Sequence, residues 1–298
     1  MKYKMTNEQK LENYFKAVRM RLEGSTKEEI ILNTDFPSWR VLEFFMKINN
    51  LTLPLDKAAF NKQVDVNFFK SINTPEKAYI LGFTYADGCI YDVGRFGYCI
   101  SENDIEVLQF IKEQMKSTSN IPIIHNTKDS RNRQPQAILR ISSVKLVEDL
   151  RNYYGVNRNK TFREGLIFPN ISEDLLVHFL RGLSDGDGNI YLRIKNSNAT
   201  SNSSFRWTIC MTDFPFLMKV KEYFHQKGVD LSIYEKQGKT CKYYIMSTGS
   251  RNHTKKLCDL LYSAEGFCLE RKKAKYLQYL ELMDNTVLNT ETNRSVSV

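Results

Sequence analysis

Clustered metal ligands, long apolar runs and paired cysteines are all missing from this sequence. Its six cysteines (Cys89, Cys99, Cys210, Cys241, Cys258 and Cys268) contain no CxxC pair and its four histidines are scattered, so neither a zinc site nor a disulfide framework is indicated. No apolar run approaches the roughly 20 residues of a membrane span. The opening Met-Lys-Tyr-Lys-Met-Thr-Asn-Glu has no apolar signal-peptide centre. The expectation is an intracellular protein of a reducing compartment, cytoplasmic in a bacterial or phage-infected cell or else organellar, with no membrane partner.

What is present is a chain of 298 residues, 42% hydrophobic, with a formal charge of +9. That length allows two or three compact units, and the charge favours a polyanionic partner without identifying it.

Two stretches say nearly the same thing: Ile80-Leu81-Gly82-Phe83-Thr84-Tyr85-Ala86-Asp87-Gly88 and Leu180-Arg181-Gly182-Leu183-Ser184-Asp185-Gly186-Asp187-Gly188. A duplicated unit follows. At helical spacing Ala78, Gly82 and Ala86 form one ridge of small residues and Gly182 and Gly186 another, which lets two helix backbones approach closely. Gly88 and Gly188 read as left-handed helix ends, placing Asp87 and Asp187 at the negative ends of two helix dipoles. Two acids brought together there conflict electrostatically. A hard divalent cation, held by few carboxylates and completed by substrate phosphates, removes the conflict. The arrangement points to metal-dependent phosphodiester chemistry.

Three helices are expected in residues 1–52: one with Leu11, Tyr14, Phe15, Val18 and Leu22 inward, a short second one, and a third near Pro37 with Val41, Phe44, Phe45 and Ile48 inward and Ser38, Trp39, Arg40, Glu43 and Lys47 outward. This is a helix-turn-helix plan, whose third helix suits a DNA groove. A linker covers 53–73. Two repeats follow, 74–168 and 169–283, each in the order αββαββα, and an apolar-poor tail covers 284–298. The fold class is mixed α+β: two antiparallel sheets around a pseudo-twofold helix pair, plus a small all-α domain.

Strand alternation separates core from charge. Tyr191, Arg193 and Lys195 oppose aliphatic residues, Arg206 opposes Phe205 and Trp207, and Arg140 opposes Leu139 and Ile141. Arg95, Lys128, Arg131, Arg133, Lys236, Lys239 and Lys242 add charge in the neighbouring turns. An ordinary solvated sheet alternates in the same way, but cationic faces flanking two metal-site acids suit a DNA groove.

With both motifs and the repeated order in view, residues 74–283 resemble a single-chain LAGLIDADG homing endonuclease. The resemblance implies two saddle-shaped sheets astride double-stranded DNA with a long target site, in a monomer. It also implies two or three Mg²⁺ ions, replaceable by Mn²⁺, held by Asp87 and Asp187 with help from the carbonyls of Ala86 and Gly186. The products would be 5′-phosphate and 3′-hydroxyl ends with short 3′ overhangs. By repeat position the resemblance assigns Lys160 and Lys272 as the basic residues beside the cleavage centre. Tyr85 departs from the motif where Asp185 keeps it. Cys99 and Cys210 stand where the family often has a polar side chain facing active-site water. The alternative is a non-cleaving nucleic-acid binder of the same fold, an intron maturase or transcription regulator.

Overall fold

The computed structural model describes residues 5–23, 25, 27–53, 63–125, 134–160, 164–194 and 203–295. The chain divides into two units, Met1–Gln63 and Val64–Val298.

The first unit carries α1 (Asn7–Glu23), α2 (Lys27–Asn33) and α3 (Trp39–Ile48) around a core of Tyr14, Ala17, Ile30, Phe36, Leu42 and Phe45. Tyr14, Val18 and Phe45 lie inward as expected, but other positions on those faces do not. Leu11 and Phe15 are exposed on α1, as are Val41, Phe44 and Ile48 on α3, while Trp39 packs against the core. Polar residues explain the misreading of α1. Asn13 and Arg21 lie on its inward stripe, where Asn13 Nδ2 donates to Asp35 Oδ2 at 3.1 Å and Arg21 Nη1 to the Ser25 carbonyl at 3.0 Å. Satisfied buried polar groups hide a face from apolar periodicity.

The larger unit begins earlier than the expected linker boundary. Phe68, Phe69 and Ile72 are buried in its core, and the Tyr154 hydroxyl donates to the Phe69 carbonyl at 2.9 Å. Two phenylalanines and an isoleucine within five residues bury too much apolar surface for a free linker. The first repeat then runs α4 (Pro75–Asp87), β1 (Gly88–Asp92), β2 (Arg95–Ser101), α5 (Ile105–Gln114), β3 (Ile123–Ile124), β4 (Gln136–Ser142) and α6 (Val144–Tyr154). The second runs α7 (Glu173–Asp187), β5 (Gly188–Arg193), β6 (Ser204–Met211), α8 (Phe214–Gln226), β7 (Leu231–Gln237), β8 (Lys242–Thr248) and α9 (Arg251–Tyr262), followed by α10 (Glu270–Ser295). The sheets are antiparallel, in the orders β1-β2-β4-β3 and β5-β6-β8-β7. Helix α10 continues past the expected end near Met283, since no Gly or Pro interrupts it before Ser295.

The helix pair α4/α7 organises this unit. A Cβ on Gly82 would lie 1.9 Å from the Phe179 carbonyl oxygen, and one on Gly182 would lie 2.0 Å from that of Tyr79. Backbone therefore touches backbone, which only glycine permits at the crossing. The termini depart from expectation: Gly88 (φ −68°, ψ 140°) and Gly188 (φ −79°, ψ 154°) are extended, not left-handed. Each helix passes straight into a strand. Glycine is required there for space, because a Cβ would meet the Thr84 or Ser184 carbonyl oxygen at 2.5 or 2.4 Å.

Candidate active site

Each motif helix is anchored to its own sheet through a small hydroxyl one turn before its acid. Thr84 Oγ1 and the Tyr98 hydroxyl are 2.7 Å apart, and Trp207 Nε1 donates to Ser184 Oγ at 2.8 Å. These bonds fix where Asp87 and Asp187 emerge. The Gly186 ridge then brings the acids together: a Cβ there would lie 2.2 Å from the Ala86 Cβ and 3.3 Å from Asp87 Oδ2.

Neither carboxylate accepts a hydrogen bond from a side chain or backbone amide among the described residues, and both are poorly solvated. Burial raises the Asp87 pKa against the opposing pull of Lys160 and Lys272. Burial pushes Asp187 up to about 6, helped by the negative charge of Asp87 and opposed by Lys160 and Lys272. Desolvation outweighs the attraction of the cations for both acids.

The two lysines come to the same place from different elements. Lys160, just after the left-handed Asn159 (φ 61°), donates through Nζ to the carbonyls of Tyr85 (2.7 Å) and Ala86. Lys272, on α10 and only 4% exposed, donates to the carbonyls of Ser184 (2.8 Å), Asp185 (2.6 Å), Gly186 (3.4 Å) and Gly188 (2.5 Å). Each ammonium thus satisfies the orphan carbonyls at the end of one motif helix and offsets its dipole. Burial lowers the pKa of both, that of Lys272 to about 8.

This donor set fits a hard divalent ion. The acceptors are carboxylate and carbonyl oxygens only, and no group of three or more His, Cys, Asp or Glu forms a protein-only cage among the described residues. Such a site leaves coordination positions to water and phosphate, as Mg²⁺ prefers. A cavity of about 290 Å³ opens beside it, lined by Tyr85, Lys160, Asp187, Cys210 and Asp213 among others. Cys210 stands near Asp187 and Cys99 near Asp87. Burial raises both thiol pKa values, and the neighbouring acid adds to the shift in each case, so the thiols stay protonated.

The sheets present the expected cations outward. Arg95, Arg140, Arg193, Arg206, Lys236, Lys239 and Lys242 are exposed, as is Tyr191. Arg140 lies over the Tyr91 ring at 5.8 Å. Arg95 pairs with Asp92, and Lys242 with Glu235 at 3.0 Å. Lys128, Arg131, Arg133 and Lys195 lie outside the described residues. In the first unit Arg40 is exposed, whereas Ser38 and Trp39 are half-buried and Trp39 Nε1 donates to Glu43 at 2.6 Å.

Residues 180–283 match the family model described as LAGLIDADG endonuclease. That match spans the second motif helix and most of the second repeat. Among solved structures the chain is similar to the LAGLIDADG meganuclease I-CpaMI bound to uncleaved DNA (14% identity, 76% of this chain and 97% of that one, TM-score 0.47). It is also similar to the LAGLIDADG homing endonuclease I-SmaMI bound to cleaved DNA (12%, 75% and 92%, TM-score 0.46). A third is an I-DmoI variant in complex with its target DNA in the presence of Mn (20%, 67% and 97%, TM-score 0.39). No curated protein matches.

Several residues around the two motif helices carry structure that the sequence did not announce. Arg181, 1% exposed, donates to the carbonyls of Leu261, Ala264 (2.6 Å) and Phe267 (3.4 Å). The charges of Asp104 and Arg271 reach Asp87, and Asp213 lines the same cavity as Asp187. The signal for Asp213 was legible as an N-cap before Phe214-Pro215; its second role, bonding the inter-repeat segment, depends on contacts across 47 and 48 positions of sequence.

Proposed function

We propose that this protein is a site-specific homing endonuclease that hydrolyses both strands of a long DNA target with Mg²⁺, leaving 5′-phosphate and 3′-hydroxyl ends with short 3′ overhangs. The observation that carries this reading is the pair of half-buried acids, Asp87 and Asp187, at the ends of two helices in backbone contact, each helix end clamped by a lysine. Asp87 and Asp187 would hold the ions; the carbonyls of Ala86 and Gly186, which already accept from Lys160 and Lys272, could join only through their remaining lone pairs. When bound, divalent ions generate hydroxide and stabilise the leaving 3′-oxygen. Mn²⁺ fits the same oxygen donors.

The chain's own residues supply the rest. The glycine crossing fixes the spacing of the two carboxylates, so each acts on its own strand of one duplex. Lys160 and Lys272 hold positive charge beside the acids, where charge develops on the attacked phosphate. Arg140, Tyr191, Arg193 and Arg206 project from the sheet faces toward the DNA backbone and base edges. Arg40 adds a contact from residues 1–52.

Purified protein with Mg²⁺ and DNA spanning the uninterrupted form of its own gene's insertion locus should give one double-strand cut. Asp187→Asn should bind that DNA and leave it intact. Undiminished cutting by this variant would overturn the assignment, and tight binding without any cutting by the native protein would establish a non-cleaving binder instead.

A further inference from the structure

Asp104 and Asp213 are counterparts. Each is the N-cap of the helix that follows the second strand of its repeat, α5 and α8 respectively. An N-cap aspartate ordinarily bonds its own helix. Asp213 does so through Oδ1, which accepts from Phe216 N at 3.0 Å. Its Oδ2 instead accepts from the backbone amides of Gly165 (2.7 Å) and Leu166 (2.8 Å), in the segment between the repeats. That segment follows Lys160, which clamps the first motif helix. Asp104 makes no cap bond of its own. Its two oxygens accept from Arg271 Nε (2.6 Å) and Nη2 (2.8 Å), a bidentate pair on the residue before Lys272, which clamps the second motif helix.

The exchange is reinforced by rings. Phe110 of α5 stacks on Phe267 at 4.0 Å and 6°, in the segment leading into α10. Phe216 of α8 lies 6.1 Å from Phe168, just beyond Gly165 and Leu166. In both cases an acid and an aromatic ring from one repeat grip the segment that delivers the lysine of the other. Asp213 lines the cavity that also contains Lys160 and Asp187. The Asp104–Arg271 pair lies near enough to Asp87 for both charges to act on it.

We propose that Asp104 and Asp213 are reciprocal positioning residues, each repeat holding the clamping lysine of the other repeat in place. This makes the two half-sites interdependent without a shared side chain. The inference rests on the nuclease reading only for its consequence, coordinated cutting. The positioning itself is a property of the protein without DNA or metal.

Amine labelling with acetic anhydride, read by peptide mass spectrometry on the full chain without metal, tests it apart from activity. In the native protein Lys272 and Lys160 should be labelled at least about tenfold more slowly than the exposed Lys236 and Lys239. Asp104→Ala should speed labelling of Lys272 and leave Lys160 protected. Asp213→Ala should do the converse. Arg271→Ala, made as a second route to the first contact, should reproduce the Asp104→Ala pattern. Exposure of both lysines in either variant, as general loosening would produce, overturns the proposal, and so does unchanged protection of both. A native protein that fails to cut DNA would sink the nuclease reading and leave this outcome readable.

Discussion

Tyr85 and Asp185 occupy the same place in the two motif helices and use it in opposite ways. The Tyr85 hydroxyl donates to the carbonyls of Tyr154 (3.0 Å) and Ile167 (2.7 Å). The Asp185 carboxylate accepts from the hydroxyls of Tyr79 (3.0 Å) and Tyr262 (3.3 Å) and from Leu269 N (2.7 Å). Both side chains reach from a motif helix to the segment that delivers a lysine. A donor meets carbonyls on one side, and an acceptor meets a helix start and two phenols on the other. Tyr85 is therefore a fitted replacement. Tyr85→Phe leaves two carbonyls without that donor and should destabilise the protein by about 1–3 kcal/mol, measured by urea unfolding.

Adding a methyl at the helix crossing should cost more. Gly82→Ala or Gly182→Ala places Cβ against backbone oxygen, which no rotamer change relieves. Destabilisation of about 3 kcal/mol or more, at the upper end for overpacking, is expected by the same measurement.

The acids oppose folding at neutral pH. The folded pKa of Asp187, about 6, lies above its ordinary 3.8, so the native state binds this proton more tightly than the unfolded chain does. Stability from this group is full below about pH 3.8, falls as the pH rises, and stays at its lower level above about 6. Metal-free Asp187→Asn should therefore be more stable than the native protein at pH 7.5, by about 1–3 kcal/mol, and gain nothing at pH 3.5. Urea titrations at both pH values check this.

Metal binding should need both acids. Ca²⁺ added to the native protein with its target duplex should raise the melting temperature, and chelation should reverse the rise. Asp87→Asn and Asp187→Asn should each show a smaller rise, and the double variant none, as read by scanning calorimetry.

The exposed arginines should act as phosphate contacts. Arg140→Ala, Arg193→Ala and Arg206→Ala should each weaken DNA binding similarly across sequences and lower the slope of log affinity against log salt by about one. Fluorescence anisotropy from 50 to 200 mM salt measures it.

Much of the larger unit was legible in sequence because its signals are local. Strand alternation around Arg206 and Trp207, the small-residue ridge through Gly82 and Gly182, and the cap-proline start Thr74-Pro75 each describe a few adjacent residues, and each element forms where expected. The first unit was harder. Asn13 and Arg21 are buried with partners, and Phe15, Phe44 and Ile48 are exposed, so apolar periodicity placed Tyr14 and Phe45 correctly but drew the inward faces of α1 and α3 around the wrong neighbours. At the site, Asp87 and Asp187 follow from the motif. The clamping geometry of Lys160 and Lys272 does not, since it joins residues 74 to 88 positions apart. Arg181 looked like an ordinary motif position and proved to be a buried hub, for which sequence carries no local signal.

The glycine contact between α4 and α7 also has a consequence in time. No layer of side chains separates the two backbones at Gly82 and Gly182, so neither helix has slack to fray or shift without parting from the other. Amide hydrogens of Leu81, Phe83, Leu180 and Leu183 should then exchange with solvent only when the whole unit opens. The helix pair would be the slowest-exchanging element of the fold, and its exchange rate would report the global stability of residues 64–298.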